Sequence, residues 1–482
     1  MRTILFLGRS RIAHQFALMT PHMRNVNIIF VAYSQEVVGI WESYGIKANY
    51  VYMDLFKEEY DNCVVNDEVI LNIDRDIIEQ SNGRFNLNSS IQSDRGFAFL
   101  SYEECIRSAV AHYNVWQTIF RNHHVDLMEH EPCSLYFNHI GSVLCKKQGG
   151  VYTYRIAALS DKYDYAYLNA NFCDYEFLEI QLLYKKYLNN RSLIDFERCK
   201  EFLKRFREEK KVFFGSLINR KQSILRLFVE GMKNDLHHKI KGKHIDRIYQ
   251  NVDYWLSVNN MPWKKIKNLI NYKIEHIKFV EKIPEGEKFL FYPFHLEPES
   301  VVLYLADGLY KNQIKLIENV AASLPPGYYL YVKDHPHEFA YRDAVDYERL
   351  MKIPNVRLLS RSFPAKAIIA QSEGVVTLNG TAGFEALLMG KQVYCFGHNM
   401  YSFMSRVHCI HNIRDLRSII YDSINTKYDD DDNLMAYVMA YLEACHPGYT
   451  NCYTGGPVLE NYDWEHNAIL LAKDTMNYIG II

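Results

Sequence analysis

One segment constrains the fold more than any other: residues 375–391, Val-Val-Thr-Leu-Asn-Gly-Thr-Ala-Gly-Phe-Glu-Ala-Leu-Leu-Met-Gly-Lys. It begins with a short apolar run typical of a buried strand and passes through small and polar residues into a helical pattern that carries Glu385. Such a strand-to-helix junction places backbone N–H groups and the positive end of the helix dipole at the carboxyl edge of a sheet. In α/β proteins, this is the edge where phosphate groups bind.

A second segment, residues 331–337, Tyr-Val-Lys-Asp-His-Pro-His, has the same design. An apolar strand pattern again breaks into polar residues and a proline. Pro336 favours an extended conformation for His335 at the end of the strand, which should direct its imidazole into a ligand-binding cleft. Two such edges in one half of the chain predict a site for a nucleotide-linked sugar.

Strand and helix patterns alternate in both halves of the chain, and 482 residues are too many for one ordinary core. Alternation of this kind predicts parallel sheets covered by helices on both faces. The predicted strands are residues 3–8, 26–33, 50–53, 125–131, 288–293, 328–333, 356–359, 374–378 and 392–396. The predicted helices are residues 12–19, 36–44, 140–148, 313–321 and 365–371, one beginning at Gly383, and 466–478.

These patterns predict three parts. Residues 1–283 form a Rossmann-like acceptor domain that includes a basic helical segment at about 175–283. Residues 284–460 form a Rossmann-like nucleotide-sugar domain, with Pro284-Glu-Gly286 as the hinge. Residues 461–482 form a helix that packs back onto the first domain. Two doubly wound domains facing a cleft, with a crossing C-terminal helix, constitute the GT-B architecture, in which ligands bind between the carboxyl edges of the two sheets.

The charge distribution along the chain is uneven. The formal net charge is −2, yet residues 183–283 contain 24 Lys and Arg against 11 Asp and Glu. A segment this basic suits contact with anionic lipid or an anionic glycan. An ordinary solvated helix surface is the alternative, and the sequence leaves the choice open.

The cysteines and the N-terminus bear on localisation. The ten cysteines include no Cys-x-x-Cys pair, which fits reduced thiols in a cytoplasmic protein rather than a disulfide framework or a zinc site. The apolar run after Met1 is too short for a signal peptide. No run has the length of a membrane span, so contact with the inner membrane would be peripheral. No spacing of His and Cys predicts a metal site.

Four motifs in the second half resemble a known family. They are Phe294-His-Leu-Glu-Pro-Glu-Ser300, Val332-Lys-Asp-His-Pro336, Asn379-Gly-Thr-Ala-Gly-Phe-Glu-Ala386, and Gly390-Lys-Gln-Val393 followed by Phe396-Gly397. In order and spacing they resemble the capsule polysaccharide biosynthesis family, which includes bacterial Kdo transferases. More distantly, they resemble bacterial sialyltransferases with a His-Pro motif. The N-terminal half shares only the architecture.

The resemblance implies a nucleotide site. His335 would contact the phosphate of a CMP-activated sugar, with Lys333 as an additional charge. Glu385 would accept hydrogen bonds from ribose hydroxyls. Each residue also has an alternative role without a ligand. His335 would form only a local hydrogen bond at the end of its strand, and Glu385 would be a solvated glutamate stabilised by the helix dipole. The predicted nucleotide-binding residues are His295, Lys333, His335, Pro336, Asn379, Gly380, Thr381, Ala382, Gly383 and Glu385.

Transfer of a sugar to a hydroxyl group requires a general base. Glu129 and Glu131 end a predicted strand and, two residues apart, would share a face; Glu131 is the predicted base. Glu299 is a second catalytic candidate, placed in the first turn of a helix that Pro298 begins, where it would alternatively only complement the dipole. His335 is the third candidate. Arg155 and the turn after Gly8 are weaker candidates for binding anionic groups.

These inferences predict a glycosyltransferase of capsule or lipopolysaccharide synthesis that uses a CMP-linked Kdo or sialic-like sugar. Its partners would be the donor and a glycan or lipid-linked acceptor, without a separate cofactor and without nucleic acid. A UDP-sugar or CDP-polyol donor, or a UDP-sugar 2-epimerase, would be compatible with the same site. A non-catalytic polysaccharide assembly scaffold is the alternative of a different class.

Overall fold

The computed structural model describes residues 1–171, 177–209, 223–241, 258, 260–335, 340–450 and 459–481. The chain divides into two compact units, Met1–Ile194 with Ala436–Ile482, and Asp195–Met435. Each unit contains one sheet covered by helices, so the predicted α/β class with two parallel-dominated, Rossmann-like sheets is confirmed. The placement of the two sheets across a cleft stays a prediction.

Thirteen strands are assigned to the described residues. Their bounds are β1 (Arg2–Gly8), β2 (Val26–Ala32), β3 (Tyr50–Val51), β4 (Leu127–Glu129), β5 (Val151–Ala158), β6 (Ala166–Asn171), β7 (Lys288–Pro293), β8 (Tyr328–Lys333), β9 (Val356–Leu359), β10 (Gly374–Thr377), β11 (Gln392–Cys395), β12 (Val407–Cys409) and β13 (His446–Pro447). Strand β3 is shorter than predicted, because Tyr52 and Phe56 are buried one helical turn apart and begin a helix instead.

The α-helices of the described residues surround these strands. Their bounds are α1 (Ile12–Met19), α2 (Gln35–Glu42), α3 (Tyr52–Asn62), α4 (Asp67–Gln80), α5 (Leu87–Ser93), α6 (Tyr102–Asn122), α7 (Tyr136–Lys147), α8 (Leu178–Asn189), α9 (Phe196–Glu208), α10 (Ile224–Lys241), α11 (Met261–Ile274), α12 (Gln313–Ser323), α13 (Ala344–Met351), α14 (Ala365–Gln371), α15 (Thr381–Leu388), α16 (Leu416–Ser423), α17 (Asp432–Glu443) and α18 (Trp464–Ile481).

The first unit has a seven-stranded sheet in the order β13-β6-β5-β4-β1-β2-β3. Strands β1 to β4 are parallel as predicted, whereas the parallel strand β5 and the antiparallel edge of β6 and β13 were not predicted from the sequence. Phe6 of β1 stacks on Phe16 of α1, with ring centroids 4.3 Å apart. Leu471 and Ala472 of α18 belong to the same apolar core. Helix α18 thus packs against the sheet of the first unit.

The second unit has a six-stranded, fully parallel sheet in the order β12-β11-β10-β7-β8-β9. Helices cover both faces, and the central strand β7 is accordingly apolar from Phe289 to Tyr292, all buried. Leu290, Leu330 and Ile317 lie in one core cluster that joins β7, β8 and α12.

The unit boundaries differ from the predicted ones. The two units divide at residues 194/195 and 435/436, whereas the predicted boundaries are 283/284 and 460/461. Helices α9, α10 and α11 of the basic helical segment therefore belong to the second unit. Arg207 of α9 donates to the Leu388 carbonyl at 2.8 Å and pairs with Asp430 at 2.7 Å. Asn268 of α11 donates to the Ala340 carbonyl at 3.1 Å. These contacts link residues distant in sequence, and local charge patterns do not encode them.

Candidate functional site

The carboxyl edge of the second sheet collects the predicted motifs. Strands β10, β7 and β8 are neighbours, so the loops that follow them are adjacent. These loops carry His295 after β7, His335 after β8 and Asn379 after β10. The chain reverses its direction of strand addition between β7 and β10, and such a switch point is where open α/β sheets bind ligands.

His295 joins the two strands that flank the switch point. Its Nε2 accepts the backbone N–H of Leu378 at 3.0 Å and lies 3.1 Å from Thr377 Oγ1. The proton of the neutral ring is therefore on Nδ1. Burial lowers the pKa of His295 to about 3, and the charges of His335 and Arg342 act in the same direction. One ring nitrogen is thus used inside the protein, and only Nδ1 remains for a ligand.

The two glycines of the Asn-Gly-Thr-Ala-Gly junction are required by packing. A Cβ on Gly380 would lie 2.8 Å from the His295 ring, and a Cβ on Gly383 would lie 2.2 Å from the Tyr401 hydroxyl. That hydroxyl donates to the Gly380 carbonyl at 2.7 Å. The small residues therefore admit protein groups that hold the junction in place.

The first turn of α15 keeps polar groups for a ligand. This helix has no side-chain N-cap, and the N–H groups of Thr381 and Ala382 lack acceptors within the helix. The amide of Asn379 is fully engaged: it donates to the carbonyls of His398 and Leu305 and accepts from Asn399. The predicted phosphate contact is therefore best placed on the backbone of Thr381 and Ala382, with Asn379 holding the loop.

Lys333 and Glu385 are buried at the same edge, each 6% exposed. Burial lowers the pKa of Lys333 to about 8, and Asp334 and Glu385 oppose that shift. Burial also raises the pKa of Glu385 to about 7, against the opposing charges of Lys366 and Lys333. Among the described residues, neither side chain forms a hydrogen bond or a close ion pair. Buried ionisable groups that interact only at longer range are typical of functional sites.

His335 is partly exposed beside this pair, and its charge affects the pKa of His295. Arg361, which follows β9, is also close enough to influence Lys333. Pro336, the other half of the predicted His-Pro motif, lies outside the described residues. The structure thus brings together His295, Lys333, His335 and the start of α15.

Arg342 connects the loops after β7 and β8, and sequence reasoning missed it. Its guanidinium donates to Glu297 at 3.2 Å and to Asp334 at 3.3 Å, and it lies 3.6 Å from the Phe294 ring centroid. Tyr347 donates to the other oxygen of Asp334. The sequence motifs contain two acidic residues, Glu297 and Asp334, to which no role was assigned. These two acids could have predicted a basic residue as their partner.

Glu299 is not placed as predicted. Pro298 does not begin a helix; a short π-helical turn begins at Val301, and the Glu299 carbonyl accepts the N–H of Leu303 at 3.0 Å. Its side chain is partly exposed. The catalytic role of Glu299 stays a prediction, without the helix dipole that was expected to orient it.

Glu131 belongs to the first unit, at the corresponding switch point between β1 and β4. It lies beyond β4 and so does not share a strand face with Glu129. Its carboxylate is 3.7 Å from Arg9, which follows β1. Burial raises the pKa of Glu131, whereas Arg9 and Arg95 lower it. A buried carboxylate whose pKa is raised is suited to proton transfer, and its assignment as the base stays a prediction.

Glu129 and Arg155 form a buried ion pair in the same unit. Arg155 also donates to Thr475 Oγ1 at 2.5 Å and lies 3.9 Å from Asp474, both on α18. His446 completes the cluster 2.9 Å from Asp474. Arg155 therefore fastens the C-terminal helix to the first sheet, and the expectation that it binds an anionic sugar is corrected by this engagement.

The comparison with protein families supports the resemblance. Residues 234–405 match the model described as "Capsule polysaccharide biosynthesis protein", and this span includes β7 to β11 with the loops of the candidate site. No curated protein matches the chain significantly.

Several solved structures are similar to this chain. KpsC β-Kdo 2,7 transferase of Thermosulfurimonas dismutans is 16% identical over 44% of this chain and 62% of its own, with a TM-score of 0.25. The KpsC β-Kdo 2,4 transferase is 20% identical over 43% and 63%, also at 0.25. The match thus spans less than two thirds of either transferase chain. UDP-GlcNAc 2-epimerase of Neisseria meningitidis is 14% identical over 92% and 97%, with a TM-score of 0.23.

Two further findings cover all of the described residues. Across the part of the chain that the structure describes, no three His, Cys, Asp or Glu side chains are grouped as metal ligands. Among the same residues, no helix combines the length and the apolar character needed to span a membrane.

Proposed function

We propose that this chain is a glycosyltransferase of bacterial surface polysaccharide synthesis that uses a CMP-linked ulosonic or nonulosonic acid, such as Kdo or a sialic-like sugar. The observation that carries the proposal is the convergence of buried Lys333 and Glu385 with the uncapped start of α15 at a switch point. The family match over residues 234–405 supports the polysaccharide class.

The proposed site separates two tasks. The N–H groups of Thr381 and Ala382, Lys333 and His335 bind the phosphate and stabilise its charge as the sugar leaves, which requires no metal ion. Glu385, when ionised, accepts hydrogen bonds from the ribose hydroxyls. Arg342 positions the loops that carry these groups. Glu131 of the first unit takes the proton from the acceptor hydroxyl.

We further propose that the acceptor is a glycan or a lipid-linked glycan and that the reaction takes place in the cytoplasm at the inner membrane. Nucleotide-activated sugars are highly polar, so the enzyme acts where soluble donor and membrane-bound acceptor meet. The chain would need no redox or carrier cofactor, because the activated bond is in the donor itself.

Calorimetric titration with CMP, CDP, UDP and GDP tests the donor class. The proposal expects selective binding of CMP that weakens in His335→Ala and remains in His411→Ala, a matched change at an exposed histidine of the same unit. Preference for UDP or CDP would overturn the assignment of a CMP-linked donor, whereas the proposed position of the nucleotide site would still stand. Absence of binding to all four nucleotides would favour the scaffold alternative.

A turnover assay separates binding from chemistry. Glu131→Gln should retain CMP affinity and lose transfer to a surface-polysaccharide acceptor, because the amide cannot take a proton. Transfer at the wild-type rate would remove Glu131 from the mechanism.

A further inference from the structure

Helix α10 has one face fixed against the protein. Leu227 is buried, and Gly231 packs so closely on Trp263 of α11 that a Cβ there would lie 2.6 Å from the indole ring. The indole N–H donates to Asp235 at 3.2 Å. The two helices therefore form a fixed pair.

The opposite face of α10 is apolar and exposed. Its exposed side chains recur every three or four residues, so they lie on one stripe of the helix. Soluble proteins rarely expose a contiguous apolar surface of this kind without a partner. The stripe consists of Leu225, Phe228, Val229, Met232 and Leu236, which are between 45% and 74% exposed.

The two helices of this pair are rich in basic residues. The sequences of α10 and α11 contain eight Lys and Arg but only two acids, Glu230 and Asp235. Both acids are engaged: Glu230 pairs with Arg226 at 3.0 Å, and Asp235 accepts from Trp263. The basic residues whose side chains the structure describes, which we call the basic rim, are Arg226, Lys233, Lys239, Lys264, Lys265, Lys267 and Lys273.

We propose that the α10 surface, defined as this stripe with its basic rim, binds a membrane rich in anionic lipid. An amphipathic helix with an apolar face and flanking cations lies in the plane of the headgroups, with its apolar side chains inserted. Each cation adds attraction to the anionic surface. A second copy of the chain is disfavoured as the occupant, because pairing the stripes would bring two strongly basic rims together.

The proposed membrane contact is joined to the candidate site within the same unit. Tyr272 of α11 donates to the Arg342 carbonyl, and Arg342 connects the loops after β7 and β8. A membrane-bound α10 would therefore hold the donor site at a fixed position relative to a lipid surface. This inference goes beyond the transferase proposal and does not depend on which nucleotide binds.

Co-sedimentation of the full-length protein with vesicles tests the inference. Vesicles of phosphatidylcholine alone are compared with vesicles that also contain phosphatidylglycerol, at low and high salt. The wild type should bind the anionic vesicles selectively and less at high salt, because salt screens the basic rim. The double variant Leu225→Glu/Met232→Glu should bind at least roughly tenfold less, since two inserted side chains become charged.

Leu71→Glu is the control: Leu71 is 67% exposed on α4, in the other unit, and the change adds one of the two negative charges that the double variant adds. It should bind as the wild type does. Lys233→Glu/Lys267→Glu tests the rim separately and should remove the preference for anionic vesicles. Circular dichroism and nucleotide titration of each variant separate these effects from misfolding or loss of the donor site.

Three results would overturn the proposal. The wild type would show no preference for anionic vesicles, or the Leu225→Glu/Met232→Glu variant would bind as well as Leu71→Glu. The third result is a difference in oligomeric state, measured by light scattering without vesicles: the wild type would be a dimer and the Leu225→Glu/Met232→Glu variant a monomer. The α10 surface would then bind a second copy of the chain.

Discussion

The switch points of the two sheets place charged residues at equivalent edges, but the charges are paired differently. In the first unit, Glu129 is bound by Arg155 and Thr475, so its charge is used within the fold. In the second unit, Lys333 and Glu385 are equally buried yet have no close partner among the described residues. Topology thus brings charges to an edge, and pairing decides whether they stabilise the fold or remain for a ligand.

The largest effect expected from this comparison is on stability in the first unit. Arg155→Ala would leave Glu129 buried without its cation, whereas Asp474 would keep His446, and it should lower the free energy of unfolding by about 3–5 kcal/mol. Urea denaturation of the full-length protein measures this loss. The milder variant Thr475→Val keeps the ion pair between Arg155 and Glu129 and should lower the free energy of unfolding by about 1 kcal/mol. A loss under about 1 kcal/mol for Arg155→Ala would mean that the cluster does not hold α18.

Lys333→Ala should behave in the opposite way. Because the Lys333 ammonium has no close partner among the described residues, its removal should change the free energy of unfolding by less than about 1 kcal/mol. Loss of a charged hydrogen bond to phosphate should weaken nucleotide binding by about 10- to 100-fold. Lys352→Ala, at a surface lysine that pairs with Glu348, is the control and should change neither quantity. Destabilisation without loss of affinity would make Lys333 a structural residue.

The smallest expected effect is the dependence of nucleotide affinity on pH. The Glu385 carboxylate forms as pH rises through about 7, and Lys333 loses its proton above about 8. Nucleotide affinity should therefore be highest between these values and fall on both sides. Glu385→Gln should remove the decline at lower pH but not that at higher pH. Calorimetry across pH 6 to 9 measures both limbs, and a flat profile would exclude these two groups from binding.

The same variant has a predicted effect on stability. The folded pKa of Glu385 is raised above its ordinary value of 4.5, so the charged form destabilises the fold as pH rises from that value through about 7. Glu385→Gln should therefore raise the free energy of unfolding at pH 8 by about 1–3 kcal/mol while weakening nucleotide binding. Thermal denaturation at pH 5 and pH 8 distinguishes this from a general effect, because the gain should shrink at pH 5.

Sequence patterns predicted the parts of the site that depend on neighbouring residues. The ends of β7, β8 and β10 and the start of α15 are each encoded by an apolar run and the residues that interrupt it. The same patterns did not predict Arg342, which contacts acids in loops remote from it in sequence. They also assigned α9 and α11 to the wrong unit, since charge composition does not specify the surface against which a helix packs.

The sequence by itself determined the class of fold, the carboxyl edge that carries the candidate site, and the residues that reach that edge, because strand alternation and turn chemistry are local. Only the tertiary structure decided what those residues do there. The His295 Nε2 and the Asn379 amide form hydrogen bonds within the protein, and Arg155 pairs with Glu129. Lys333 and Glu385 are buried without close partners among the described residues. The availability of a buried polar group depends on what the rest of the chain places beside it.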